Sequence, residues 1–193
     1  DWKKLRCGVQ EFQLPAVDRL GLQNDAYALA QAGYVSPTLF LSLIEAYRNE
    51  NDTSVWRDLS ANLHSLESLI CDEPYLSQFH RFGQQLLQRV VGKMGWDAKP
   101  DEGHLDALLR STVLGQISNY GDCKVISEAQ SRFSSFVADP ANLNPDLRAV
   151  VFAIVAREGD KETYNTLWEL EKQATLHEEK LRILTALTRF RQK

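Results

Sequence analysis

An all-helical fold, with antiparallel helix pairs stacked as a HEAT- or armadillo-like superhelical solenoid, is what the sequence predicts, on three observations. Apolar residues recur at three- and four-residue spacing in nearly every segment, and no segment alternates as a strand would. The connections between segments are short, as between antiparallel neighbours. The stretches YGDCKVISEAQSRF and EGDKETYNTLWEL both place Gly-Asp before a helix. The interval from Asp122 to Asp160 then falls within the roughly 35 to 45 residues of a helix-pair repeat. An irregular helical bundle is the alternative packing.

Each element has its own signal. DWKKLRCGVQEF opens without a clear start, so residues 1–13 are expected to be an irregular or truncated lead-in. A helix follows around Asp18 to Gln31. Ser36 is the next N-cap, with Pro37 at the first helical position, and Leu39, Phe40, Leu43, Ile44 and Tyr47 form a wide apolar face. Asp52 or Thr53 opens a helix striped by Val55, Trp56, Leu59, Leu63, Leu66 and Ile70. After Pro74 comes a long face of Phe79, Phe82, Leu86, Val90 and Met94, ended by Gly95 and the loop WDAKPDEGH. Leu105, Leu108, Leu109, Val113 and Ile117 continue to the turn NYGD, where Asp122 caps a helix carrying Val125, Ala129, Phe133 and Phe136. Asn144 and Pro145 repeat the cap-plus-proline start, Gly159-Asp160 punctuates again, and Thr175 with Glu178 reads as a capping box before the last helix. The series amounts to roughly nine helices.

With 193 residues and 44% hydrophobic content, the chain can bury a core of its own, and residues 1–193 are expected to form a single helical-repeat domain. ALTRFRQK closes the chain in mid-pattern, so the domain is expected to be an excised part of a larger one. Lys+Arg 22 against Asp+Glu 26 leaves a net −4 with no basic block, which argues against a nucleic-acid partner. No apolar run approaches the roughly twenty residues needed to span a bilayer, so no membrane partner is expected. Cys7, Cys71 and Cys123 are odd in number and far apart, which points to free thiols in a reducing compartment, hence a cytoplasmic location.

Catalytic chemistry is hard to find. HEEKL, His177 to Leu181, is one letter short of H-E-x-x-H, but Leu181 stands where the second imidazole must be, and an alkyl group cannot bind zinc. Of the four histidines, His64 with Glu67 comes nearest to a helical metal site, and one His with one Glu is too few. There is no G-x-S-x-G elbow, P-loop or G-x-G-x-x-G. No catalytic residue, metal or cofactor is expected in this chain.

Two stretches place charge against apolar faces. In LPAVDRLGLQNDAYALAQAG, Asp18, Arg19 and Asp25 are candidates for a structural ion-pair network, Arg19 pairing with Asp25 or with another helix. In DEGHLDALLRSTVLGQI, Arg110 interrupts an apolar run. It is expected either to pair with a carboxylate or to form an anion site taking a peptide's terminal carboxylate bidentately.

DRLGLQNDAYALAQAG, followed in order by NEN, SVWRDLSANL, GWDAKPDEGHLDALLR and HEEKLRIL, resembles the C-terminal helical domain of the puromycin-sensitive aminopeptidases and their relatives among the gluzincin zinc aminopeptidases. The resemblance runs from about Leu14 onward. It implies a HEAT-like, non-catalytic domain that encloses a substrate chamber, contributes to peptide binding and gates access by opening and closing. It also implies that zinc lies in a catalytic domain outside this chain, since the family's H-E-x-x-H and G-x-M-E-N motifs have no counterpart here. The partners it implies are the catalytic and other domains of the parent enzyme and its peptide substrates. Arg110, in the family-like LLR segment, is the implied contact for a peptide's C-terminal end. The competing reading is a free-standing HEAT-like protein-interaction module.

Overall fold

The computed structural model describes residues 2–191. Among them are ten α-helices and two short 3-10 helices, with no strand. In order they are α1 (Trp2–Gln10), α2 (Ala16–Gln31), α3 (Pro37–Ile44), a 3-10 helix at Glu45–Asn49, α4 (Thr53–Leu69), α5 (Leu76–Met94) and α6 (His104–Asn119). Then come α7 (Cys123–Ala138), a 3-10 helix at Pro140–Asn142, α8 (Pro145–Glu158), α9 (Lys161–Gln173) and α10 (His177–Leu187).

Most helix starts follow the side chains that the sequence marks for them. Ser36 accepts from the Thr38 N–H in front of Pro37, and Asp52 accepts from those of Ser54 and Val55. Asp122, Asn144 and Asp160 do the same for α7, α8 and α9. Each cap satisfies donors that an α-helix leaves unpaired in its first turn. Gly95 ends α5 at φ 61°, a left-handed conformation that costs glycine little.

Two elements differ from the sequence expectation. The capping box at Thr175 does not form: α10 begins at His177 behind Leu176, which makes no side-chain cap, and Glu178 is drawn instead to Arg182 one turn on. Within the stretch expected to be an irregular lead-in, α1 is a regular helix. Val9 is buried, and Arg6 donates to Ser42 Oγ at 3.0 Å and to Glu45 at 3.2 Å. These contacts supply what the weak start signal lacks.

The chain divides into two compact units, Asp1–Val113 and Leu114–Lys193, and the division falls within α6. In the first unit α2 packs on α3 and α4, while α1 and α5 pack on the 3-10 helix at Glu45–Asn49. The core there holds Phe40, Ile44, Tyr47, Trp56, Leu63 and Leu86, all buried. In the second unit α8 is the hub, flanked by α7 and α10, with α9 against α10. Leu147, Val150, Val151, Phe152, Ile154, Val155 and Ala156 bury almost the whole circumference of α8. Phe133 and Phe136 of α7 set edge-on contacts to Phe152 at 5.9 and 5.1 Å between ring centroids.

Candidate functional site

The two arginines that stood out in the sequence lie in two buried ion pairs of the first unit, and the two are built differently. Arg19, on α2, is 5% exposed. Its Nε and Nη2 donate to the two carboxylate oxygens of Glu50 at 2.6 and 2.8 Å, a bidentate fork, and its Nη1 donates to the Leu14 carbonyl at 2.7 Å. Glu50 in turn accepts from the backbone N–H groups of Asn51 and Asp52 at 2.8 and 2.9 Å. Tyr47 Oη donates to the Arg19 carbonyl, and Trp56 Nε1 donates to that of Glu50. The Phe12 ring covers the guanidinium at 4.8 Å. Phe12 holds φ 55°, a left-handed conformation uncommon outside glycine, at the turn between α1 and α2.

Hydrogen bonding to Glu50 raises the Arg19 pKa against the opposing effect of burial. Burial pushes the Tyr47 phenol well above its ordinary range. Asp18 and Asp25 are exposed and lie outside it. The reason is angular. Residues one and six apart on a helix do not share a face with Arg19, so neither aspartate can reach inward beside it. Beside this pair, Gln23, Asn24, Asn62 and Asp58 form a polar seam between α2 and α4, with Asn62 Nδ2 donating to Gln23 Oε1 at 2.8 Å and to Asn24 Oδ1 at 2.9 Å.

Arg110, on α6, has a side chain 3% exposed. Its Nη2 donates to Glu102 and, at 3.3 Å, to the Met94 carbonyl, while its buried Nε has no acceptor among the described residues. One orphaned donor of this kind costs about 1–3 kcal/mol. Glu102 also accepts from the Lys99 N–H at 3.0 Å, and the Arg110 guanidinium followed by that N–H holds its carboxyl below the usual carboxylate range. Lys99 Nζ donates to the Lys93 carbonyl, and the Gly103 N–H donates to Asp106. Residues 95–103 are thereby tied down at several points despite their Pro and Gly content. Arg110 thus has the carboxylate partner that its sequence position suggested.

The histidines give no metal centre. His80 Nε2 sits 2.7 Å from Glu67 Oε1, and His64 Nδ1 lies 3.7 Å from Glu67 Oε2. Among the described residues no group of three or more His, Cys, Asp or Glu could hold a metal ion. His177 and Leu181 are exposed on α10. The three cysteines are free and exposed. An apolar cleft of about 480 Å³ lies in the first unit between α3, α4 and α5, lined by Leu41, Leu66, Ile70, Tyr75, Phe79 and Phe82. Glu50 was missed by sequence reasoning because the apolar pattern carries no mark of a partner on another element.

Over the described residues the chain is all-α, with two buried ion pairs in its first unit. The chain belongs to the ERAP1-like C-terminal domain family, whose model matches residues 1–193. It is similar to Aminopeptidase M1-A of rice, 35% identical over 191 residues, which is 95% of this chain and 22% of that protein. It is also similar to Aminopeptidase M1 of Arabidopsis thaliana, at 34% over 190 residues, covering 95% and 22% respectively. A third relative, the alanine/arginine aminopeptidase of Saccharomyces cerevisiae, is 32% identical over 195 residues, covering 100% of this chain and 22% of that protein. The chain therefore spans about a fifth of the length of the curated relatives it matches. These findings place it among the ERAP1-like C-terminal domains, with all-helical structure over the described residues.

Proposed function

We propose that this chain is part of the helical domain of a cytoplasmic, zinc-dependent aminopeptidase of the puromycin-sensitive type, and that it encloses the substrate chamber and gates peptide access. The family match across residues 1–193 carries this reading. The puromycin-sensitive branch rests on the ordered segments from DRLGLQNDAYALAQAG to HEEKLRIL. One HEAT-like helical-repeat domain over residues 1–193 is part of the same proposal, and packing between neighbouring helices within each unit supports it. Exposed free thiols support a reducing compartment. Zinc and the peptide-cleaving residues belong to the rest of the parent enzyme, and its other domains and peptide substrates are the partners.

Within this reading Arg110 meets a peptide carboxylate only when Glu102 withdraws, since the guanidinium is otherwise sealed. The purified chain is expected to hydrolyse no fluorogenic aminoacyl amide and to hold no stoichiometric zinc. Deleting the matched residues from the complete enzyme should abolish or sharply reduce peptide cleavage. Zinc-dependent turnover by the chain itself would overturn the proposal. Arg110→Ala in the complete enzyme should raise KM for free-carboxylate peptides and spare aminoacyl amides; an equal loss on both substrates would leave Arg110 a loop-positioning residue.

A further inference from the structure

Arg19 and Arg110 carry the same group in the same unit, and one of them is left partly unmatched. The Arg19 Nε and Nη2 take the two oxygens of Glu50, so that edge of the guanidinium is filled. Arg110 shares Nη2 between Glu102 and the Met94 carbonyl, while its buried Nε has no acceptor among the described residues. Nε and Nη2 form an edge with which a guanidinium takes a carboxylate bidentately, so Glu102 uses half of it. A carboxylate bonded to both nitrogens satisfies a donor that Glu102 leaves stranded.

The pair opens from the Glu102 side, whose side chain is 14% exposed against 3% for Arg110. Glu102 sits on a short non-helical strap, residues 99–103, in which Lys99, Pro100, Asp101 and Gly103 are exposed. Local bonds fasten it: the Lys99 N–H donates to Glu102, Lys99 Nζ to the Lys93 carbonyl, and the Gly103 N–H to Asp106. We propose that this strap is autoinhibitory, with Glu102 standing in for a peptide's terminal carboxylate until a free carboxylate, bonding Arg110 through Nε and Nη2 together, displaces it. This rests on the functional reading above, in which Arg110 meets that carboxylate. A tethered competitor acts at high effective concentration, so it sets a threshold that a carboxylate passes when other peptide contacts help to hold it.

The test titrates the ¹⁵N-labelled chain with a leucine-rich nonapeptide, once with a free terminal carboxylate and once as the terminal amide. The readout is the Arg110 Nε–H resonance, identified by its loss in Arg110→Lys. The free acid should move that resonance saturably and the amide should not. Glu102→Gln keeps the shape of the strap and removes the competing charge, so it should tighten binding of the free acid about tenfold. Lys99→Ala removes one fastening at an exposed position, keeps the Glu102 pair, and should tighten binding about threefold. Arg110→Lys, which cannot form the fork, should weaken binding of the free acid about tenfold. Binding that Arg110→Lys weakens but that neither Glu102→Gln nor Lys99→Ala tightens would overturn the strap and leave Arg110 as the carboxylate contact. Equal affinity for acid and amide, or no binding by the chain and both strap variants, would overturn that reading of Arg110 and the strap with it.

Discussion

Arg19 and Glu50 form a pair in which each guanidinium nitrogen and both carboxylate oxygens are bonded, so removing either partner strands the other in a dry interior. Glu50→Ala should destabilise the chain by about 3–5 kcal/mol in urea titration. Joint replacement by Met at Arg19 and Leu at Glu50 should recover much of the loss, because no lone charge then remains. Glu102 gives the pH counterpart. Its carboxyl is depressed in the folded state, so the unfolded chain takes up a proton first as acid is added. The stabilisation is complete above the ordinary carboxylate range and is lost as pH falls through the depressed value. Glu102→Gln should lower stability at neutral pH and flatten the acid limb of a stability-against-pH curve; an unchanged limb would show that Glu102 is not its source. Both arginines were visible in the sequence as charges on apolar faces, whereas their partners were not equally so. Glu50 lies 31 residues from Arg19 on a separate element, and Glu102 lies within the same short stretch as Arg110.

At the level of elements, the cap residues carried most of the predictive weight, because a side chain bonded to its own helix start depends on few distant contacts. Ser36, Asp52, Asp122, Asn144 and Asp160 all act where the sequence places them. α10 shows the limit of such signals, since Glu178 had two local partners available and sequence alone does not rank them. The same holds for α1, whose order derives from Arg6 and Val9 meeting later residues. Gly159 is a further case in which packing, and not backbone angle, sets the residue. A Cβ there would stand 2.6 Å from the Val155 carbonyl and 2.8 Å from Thr163, closing the turn between α8 and α9 too tightly. Gly159→Ala should therefore cost about 1–3 kcal/mol, read from the urea midpoint, although its φ of −80° suits any residue. A neutral outcome would mean that the turn opens freely.

Across the whole molecule, composition and periodicity were enough for an all-helical chain with a sizeable core, because helix spacing is written in every segment. They did not reveal where one compact unit gives way to the next, since the division falls inside α6, where the apolar pattern runs on without a break. Function was legible at the same coarse grain. The run of family-like segments agrees with the family match, while no local motif specifies what such a helical domain does. The completeness with which α8 is wrapped has a further consequence. Its run VVFAIVA, residues 150–156, is rich in β-branched and aromatic side chains and contains no charge and no proline. Outside its helix that is the composition of a self-pairing strand, of the sort that stacks into zipper-like aggregates. The neighbours of α8 thus shield the chain from a competing state, and heating that frees this segment leads toward aggregation as readily as toward refolding.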